Sequence, residues 1–235
     1  MSREKILRLH HSIVIYSDEM WEIFNSKRKR AIYLLELFAK ERLNPYVYGS
    51  IARGNLHKES DIDIIFTQQI PSFQIEFLLN INGFENYIRE IIMATPQDSI
   101  KLYIHLNELE CLTIPLSKLE KKAIEFYDFG GKIDLNQLKK NIRVPGIDKR
   151  LVLIKPNLMG HEEYSIINNE HIAAKEIGIS INTILEREKV LLKREKRGRT
   201  GVFLKRELSI NESPEEVLKK IANKNSILRR KLCKR

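Results

Sequence analysis

Val47-Tyr48-Gly49-Ser50-Ile51-Ala52-Arg53-Gly54 is followed, after Asn55 to Ser60, by Asp61-Ile62-Asp63-Ile64-Ile65-Phe66. Residues two apart on a strand share a face. Asp61 and Asp63 are therefore expected to project together, while Ile62 and Ile64 point into a core. Two carboxylates side by side repel each other unless a cation sits between them, and hard oxygen ligands at that spacing suit Mg²⁺ or Mn²⁺. Gly49-Ser50 is expected in a strand-to-helix turn, where bare backbone amides can approach a triphosphate. A metal clamp and a phosphate cradle are the parts of phosphoryl-group transfer.

Working outward, residues 25–42 predict a helix, with Ala31, Leu34, Leu35 and Phe38 as an apolar stripe that ends before Asn44-Pro45. Residues 46–48 predict a short strand into Gly49, residues 51–55 the first helical turns after the cradle, and residues 61–67 a second strand. Helices are expected over 71–79 and 84–93. Strands are expected over 100–106 and 109–116, joined by a turn at Asn107-Glu108. That order fits a mixed sheet in an α+β domain.

The stretch Gly49-Ser50-Ile51-Ala52-Arg53-Gly54 … Ser60-Asp61-Ile62-Asp63-Ile64 resembles the signature of the DNA polymerase beta nucleotidyltransferase superfamily. It is most similar to the version in archaeal CCA-adding tRNA nucleotidyltransferases and minimal nucleotidyltransferases, and Ala-Arg-Gly after Gly-Ser carries the likeness beyond the bare pattern. The resemblance implies Mg²⁺ or Mn²⁺ on Asp61 and Asp63, an NTP substrate held by Gly49, Ser50 and Arg53, and transfer of a nucleoside monophosphate to a hydroxyl acceptor. It also implies a third carboxylate on a neighbouring strand, sharing the metal and accepting a proton. In the superfamily's name-giving repair polymerase an acidic residue lies five before a Pro, and Glu110 stands so before Pro115; Glu108 is the other candidate, better suited to the turn. The family's usual residue there is Asp. The chain lacks the length and modules of a full CCA-adding enzyme.

The chain has 235 residues with 43% hydrophobic, enough for one large or two small domains, and carries a net charge of +10. No apolar run approaches the ~20 residues that span a bilayer. Residues 1–9 lead into no apolar segment of a secretory signal, so a cytoplasmic protein with no membrane partner is expected. Cys111 and Cys233 have no metal-ligand spacing and imply no disulfide framework. His161-Glu162-Glu163 likewise lacks a usable spacing of metal ligands.

The positive charge is clustered. Residues 187–206 hold nine Lys or Arg against Glu188 and Glu195, and residues 219–235 hold eight with no acid. Such clusters suit a polyanion. Ala174, Gly178 and Ile184 have the spacing of a helix-turn-helix, with Ser180 as cap of the second helix, although Arg187 takes a position that is customarily apolar. The basic, Gly-punctuated run 193–204 then reads as a wing, and residues 214–221 as a short helix. The sequence thus predicts a catalytic domain over 1–140, a turn-rich linker over 141–160 and a winged helix-turn-helix-like domain over 161–235. Arg187, Lys193, Arg194, Lys196, Arg197 and Arg199 are the residues expected to meet DNA or RNA. An ordinary helical hairpin with a basic surface is the plainer alternative. Two other functions compete: nucleotidyl transfer to a small molecule or protein, and a DNA-binding regulator that uses the nucleotidyltransferase fold as a ligand sensor.

Overall fold

A computed structural model describes residues 5–198 and 200–233. In chain order the elements are β1 (His11–Ile15), α1 (Asp18–Ala39), β2 (Tyr46–Tyr48), α2 (Ser50–Arg53), β3 (Ile62–Ile65), α3 (Ser72–Ile81), β4 (Ile88–Met93), β5 (Lys101–Asn107), β6 (Glu110–Pro115) and α4 (Lys121–Phe129). There follow β7 (Lys132–Ile133), α5 (Leu135–Lys139), β8 (Gly146–Ile147), β9 (Val152–Asn157), β10 (Gly160–Ser165), α6 (Glu170–Ile177), α7 (Ile181–Arg197), β11 (Leu204–Leu208), α8 (Pro214–Lys224) and α9 (Ser226–Cys233). No described helix is long and apolar enough to cross a membrane.

The chain divides into two compact units. One comprises residues 1–32, 47–60 and 124–200; the other comprises 33–46, 61–123 and 201–235. The chain therefore passes between units several times, where the sequence suggested a single linker over 141–160.

In the second unit, β3, β6, β5, β4 and β11 lie side by side; β3 and β6 run parallel and the other neighbours antiparallel. Alternation along these strands separates an apolar side from a polar one. Ile62, Ile64, Ile91, Met93, Leu102, Ile104, Leu112 and Ile114 are buried together with Leu34, Leu35 and Phe38 of α1 and Ile75 and Leu79 of α3. Phe38 meets Phe66 edge-on at 5.2 Å. Residues 88–93, expected as part of a helix, form β4. Their burial alternates with period two, with Arg89, Ile91 and Met93 inward, and pairing with β5 and β11 supplies the backbone bonds that a helix would make internally.

In the first unit, β1, β10, β9 and β8 form a four-stranded antiparallel sheet. Residues 146–160, expected as a linker, supply β8, β9 and the start of β10; the prolines there punctuate strands rather than separate domains. β2 pairs with β7 through Val47↔Ile133 and Tyr48↔Lys132. Two helices, α6 and α7, are joined by a short turn at 178–180. Gly178 closes α6 in the left-handed region (φ 78°), where a side chain would be strained, and its N–H donates to the Ala174 carbonyl at 2.9 Å. Ser180 accepts from the Asn182 N–H at 3.2 Å and caps α7. Ala173, Ala174, Ile184 and Leu191 share a core cluster with Phe129, Ile147, Leu151 and Leu153.

Among the described residues no hairpin forms over 193–204. Residues 193–197 continue α7, whose 17 residues end at Arg197 with Gly198 as C-cap, and Leu204–Leu208 pairs with β4 within the second unit. The Lys/Arg-rich run 193–197 carries good helix formers and no breaker before Gly198, so propensity and the preceding helix win over the turn signal.

A buried polar network ties β1 to β10. Glu163 accepts from Arg150 at 2.7 Å, lies 2.5 Å from His10 Nε2 and 3.3 Å from His161 Nε2, and Arg150 also holds Asp148 at 2.7 Å. Burial alone would raise the Glu163 carboxyl; the bonds from Arg150, His10 and His161 outweigh it and hold the group at about 2, below its usual 4.5. A depressed carboxyl adds stability that is complete above the unfolded value and is lost as pH falls through the folded one. Acid unfolding is therefore expected to steepen between about pH 4.5 and 2. Urea titrations at a series of pH values should show Glu163→Gln less stable at neutral pH and less pH-dependent over that range.

Candidate active site

Asp61 and Asp63 belong to the second unit. Asp61 is exposed, immediately before β3, and Asp63 is half-buried within it; Ile62 and Ile64 are 2% and 1% exposed. The two aspartates thus lie on the polar side of the strand, as the two-residue spacing requires. The backbone is fixed by parallel pairing with β6 and by the Ile62 N–H, which donates to Leu109 O at 2.7 Å.

The same pairing decides the third position. Partners in a parallel ladder point to one side, and the register matches Ile62 with Glu110 and Asp63 with Cys111. Glu110 therefore shares the apolar side with Ile62 and is 8% exposed, while Cys111 stands beside Asp63. This corrects the expectation that Glu110 completes a metal site with Asp61 and Asp63: a one-residue offset in register moves a side chain to the opposite face. Glu108 lies in the turn between β5 and β6 and is exposed. Glu110→Gln is accordingly expected to leave divalent-cation affinity unchanged, as read by Mn²⁺ titration.

Beyond Cys111 the polar side continues through His105 and Tyr103 of β5 to Glu90 of β4. Tyr103 and His105 stack with ring centroids 6.3 Å apart. Glu90 lies 3.7 Å from His105 and pairs with Lys205 at 2.8 Å. Burial first, then the charges of Asp63, Asp61 and Glu90, pushes the Cys111 thiol up to about 12. Burial first, with Cys111 and Asp63 after it, also raises the Tyr103 hydroxyl. Glu90 shares the aspartates' side, but at ~4.8 Å per strand spacing it is about 14 Å across the sheet from Asp63, too far to share an ion. Among the described residues no group of three His, Cys, Asp or Glu is poised to hold a metal.

The donor set nonetheless fits Mg²⁺ or Mn²⁺. Two carboxylates on one side offer hard oxygen ligands, and Mg²⁺ is commonly held by one or two carboxylates together with substrate phosphates rather than by an all-protein cage. Asp61 and Asp63 are the residues that would hold it.

Gly49 and Ser50 belong to the first unit. Gly49 has φ 81°, and a Cβ built there would meet nothing within 4 Å: its environment is open and its backbone angle favours glycine. The Gly49 N–H donates to Gly131 O at 2.9 Å, and Ser50 begins α2.

Three buried side chains clamp this turn, and two of them carry no signal in the local sequence pattern. Arg28, 1% exposed in α1, donates to the carbonyls of Ile51 at 3.5 Å, Leu138 at 3.4 Å and Ile142 at 2.7 Å. Tyr16 donates to Gly54 O at 2.9 Å and lies 2.8 Å from His161 Nδ1. Arg53, expected on the triphosphate, is turned inward instead: its Nε donates to Asn55 at 3.1 Å and its NH1 to the Gly130 carbonyl. Burial lowers both guanidinium groups to about 10, leaving them charged at neutral pH. Burial raises Tyr16 to about 12. Arg28 lay hidden in the polar run Asn25 to Arg30, which reads as a solvated helix face.

The basic residues also sort differently from expectation. Arg187 is packed, with its guanidinium 4.6 Å from the Phe126 ring centre and 5.9 Å from that of Phe129, so a cation over aromatic faces takes the customary apolar position. The neighbouring Thr183 donates to the buried Glu125 carboxylate. Arg187 is half-buried there. Lys193, Lys196 and Arg197 lie on α7, Arg194 O caps the helix end through Gly198, and Arg199 lies outside the described residues.

The family model for the nucleotidyltransferase domain matches residues 17–199. The chain belongs to the nucleotidyltransferase domain family. Comparison with curated proteins and with solved structures finds no match. The family span takes in Gly49, Ser50, Asp61 and Asp63, and the protein is a nucleotidyltransferase enzyme.

Proposed function

We propose that this nucleotidyltransferase moves a nucleoside monophosphate from an NTP to a hydroxyl on a nucleic acid, or on a molecule bound to one. The observation that carries the chemistry is the placement of Asp61 and Asp63 on one side of β3, above a strand whose other side is sealed in the core. Gly49 and Ser50 hold the triphosphate in a turn kept rigid by Arg28, Tyr16 and Arg53. Asp61 and Asp63 would hold Mg²⁺ or Mn²⁺, which would supply neutralisation of phosphate charge. The acceptor oxygen attacks the α-phosphorus in line, the bond to the bridging α–β oxygen breaks, and pyrophosphate leaves with that electron pair. With Glu110 on the other side of the sheet, Asp61 and Asp63 are the carboxylates nearest to where the acceptor's proton departs.

The acceptor class rests on the basic residues of α7 and of the C-terminal helices. A small-molecule or protein acceptor is the second reading, favoured by the missing wing and by the packing of Arg187. Incubation with each α-labelled NTP, Mg²⁺ and separate cellular RNA, DNA and protein fractions tests the choice. Label entering RNA or DNA is the expected result; label confined to protein or to small molecules overturns the nucleic-acid acceptor.

A further inference from the structure

The α8–α9 hairpin of the second unit separates its residues into two stripes. Val217, Leu218 and Ala222 of α8 and Leu228 of α9 are buried. Lys219, Lys220, Asn223 and Lys224 occupy the opposite side of α8, all exposed; at 100° per residue they fall within one arc of the helix. Between Lys219 and Cys233 there is no acidic residue.

Several exposed cations elsewhere are paired. Lys205 meets Glu90, Arg206 meets Glu212, Lys155 meets Glu176 and Arg8 meets Glu195. Among the described residues Lys219, Lys220, Lys224 and Arg230 form no direct ion pair, while Glu212 feels the charge of Lys220 and Glu216 shares their side one turn earlier, so the stripe carries a net positive charge.

The surface is also held in place. Glu215 accepts from both the Ser72 N–H (2.7 Å) and the Ser72 hydroxyl (2.8 Å), fixing the start of α8 to α3. Arg229 donates to the carbonyls of Ala222 at 3.4 Å and Asn223 at 2.8 Å, folding its guanidinium over the end of α8 next to Lys224. Asn225 caps α9 by accepting from Ile227 and Leu228. Binding here needs little ordering of backbone, which favours affinity.

The chemistry of the stripe selects its occupant. From Leu204 to Cys233 there is no aromatic residue or histidine, so nothing in this segment can stack on an unpaired base, the feature on which single-strand binding depends. Lys and Arg alone, on a convex helical surface, match an outward-facing line of phosphates.

We propose that the outward stripe of α8 and the adjoining Arg229 and Arg230 of α9 form a docking surface for the phosphate backbone of a base-paired nucleic acid. This rests on the nucleic-acid-acceptor reading above and adds where the acceptor is held, on the unit that carries Asp61 and Asp63. It moves the main contact from residues 187–199, where the sequence placed it, to residues 219–230.

The test uses the full chain and fluorescence anisotropy of a labelled duplex, as RNA and as DNA, over a range of salt. The Lys219→Gln/Lys220→Gln/Lys224→Gln variant is expected to lower the slope of log K against log salt by about 0.9 per lost phosphate contact, roughly 2 to 3 in all. Lys219→Arg/Lys220→Arg/Lys224→Arg should retain the slope, which guards against a folding artefact. The matching Gln variant of Lys189, Lys193 and Lys196 on α7 should change it less. An unchanged slope in the α8 variant overturns the proposal. So does wild-type protein that binds no duplex, or that binds single strands with the same sensitivity to the substitutions. Binding of phosphatidylserine vesicles, lost in the α8 variant while duplex binding is kept, would assign the stripe to a lipid surface instead. Failure of this surface is distinguishable from failure of the functional reading: the first leaves α-phosphate transfer to nucleic acid intact, whereas the second abolishes transfer in the wild type.

Discussion

Asp63→Asn is expected to lower nucleotidyl transfer by about a thousandfold, with Asp61→Asn close behind and the double variant little worse than either. Removing one preorganised electrostatic contact to a reacting group costs about 10² to 10³ in rate, and here the contact also determines whether the divalent ion is held. Near-equality of single and double variants follows because the two carboxylates act as a unit. Folding should not suffer. The aspartates lie on the polar side of β3 and repel each other in the absence of a cation, so each substitution should leave the melting temperature unchanged or slightly raised. Steady-state transfer assays paired with thermal melts separate the two effects. A variant that loses activity by unfolding would show a lowered melting temperature, and a variant that keeps activity would remove Asp63 from the site.

Arg28→Ala is expected to destabilise the protein by about 3–5 kcal/mol, the largest effect of any single change outside the carboxylates. Three carbonyls now share this guanidinium, and leaving a buried acceptor unmatched costs about 1–3 kcal/mol. Truncating so large a buried side chain adds a cavity term. Two features offset part of this. The arginine is itself held against a desolvation cost that lowers its guanidinium to about 10, and water entering the gap would satisfy some carbonyls. Arg28→Lys should recover little, because an ammonium lacks the planar fork that reaches carbonyls on α2 and on the segment around α5. Chemical denaturation measures the loss. Under stabilising conditions the folded fraction of Arg28→Ala should bind NTP more weakly, because the Ile51 carbonyl belongs to the cradle helix.

The parts of the fold legible in the sequence were those written in local spacing. Asp61 and Asp63 share a side because a strand has period two, and Gly49 sits at a positive φ that favours glycine. Gly178, Ser180 and Ile184 marked the turn between α6 and α7 through a left-handed residue, a cap and a core anchor. Illegible were the features set by pairing between distant segments. Glu110 has a plausible spacing before Pro115, yet its direction is decided by which residue of β3 it stands beside. Arg53 follows the cradle closely enough to read as a phosphate ligand, but the Gly130 carbonyl claims it. The basic run after α7 looked like a wing because charge and glycines do not reveal that Leu204–Leu208 pairs with β4. Arg187 breaks the apolar pattern of its helix only until Phe126 and Phe129 are placed under it.

The fate of the individual phosphates of the NTP tests the central claim most directly. With Mg²⁺ present, the account predicts that label from an α-phosphate-labelled NTP becomes covalently attached to the acceptor, that label at the γ-position leaves as pyrophosphate, and that Asp63→Asn abolishes both. Attachment of the γ-label, or release of single inorganic phosphate with no α-label on any acceptor, would contradict it.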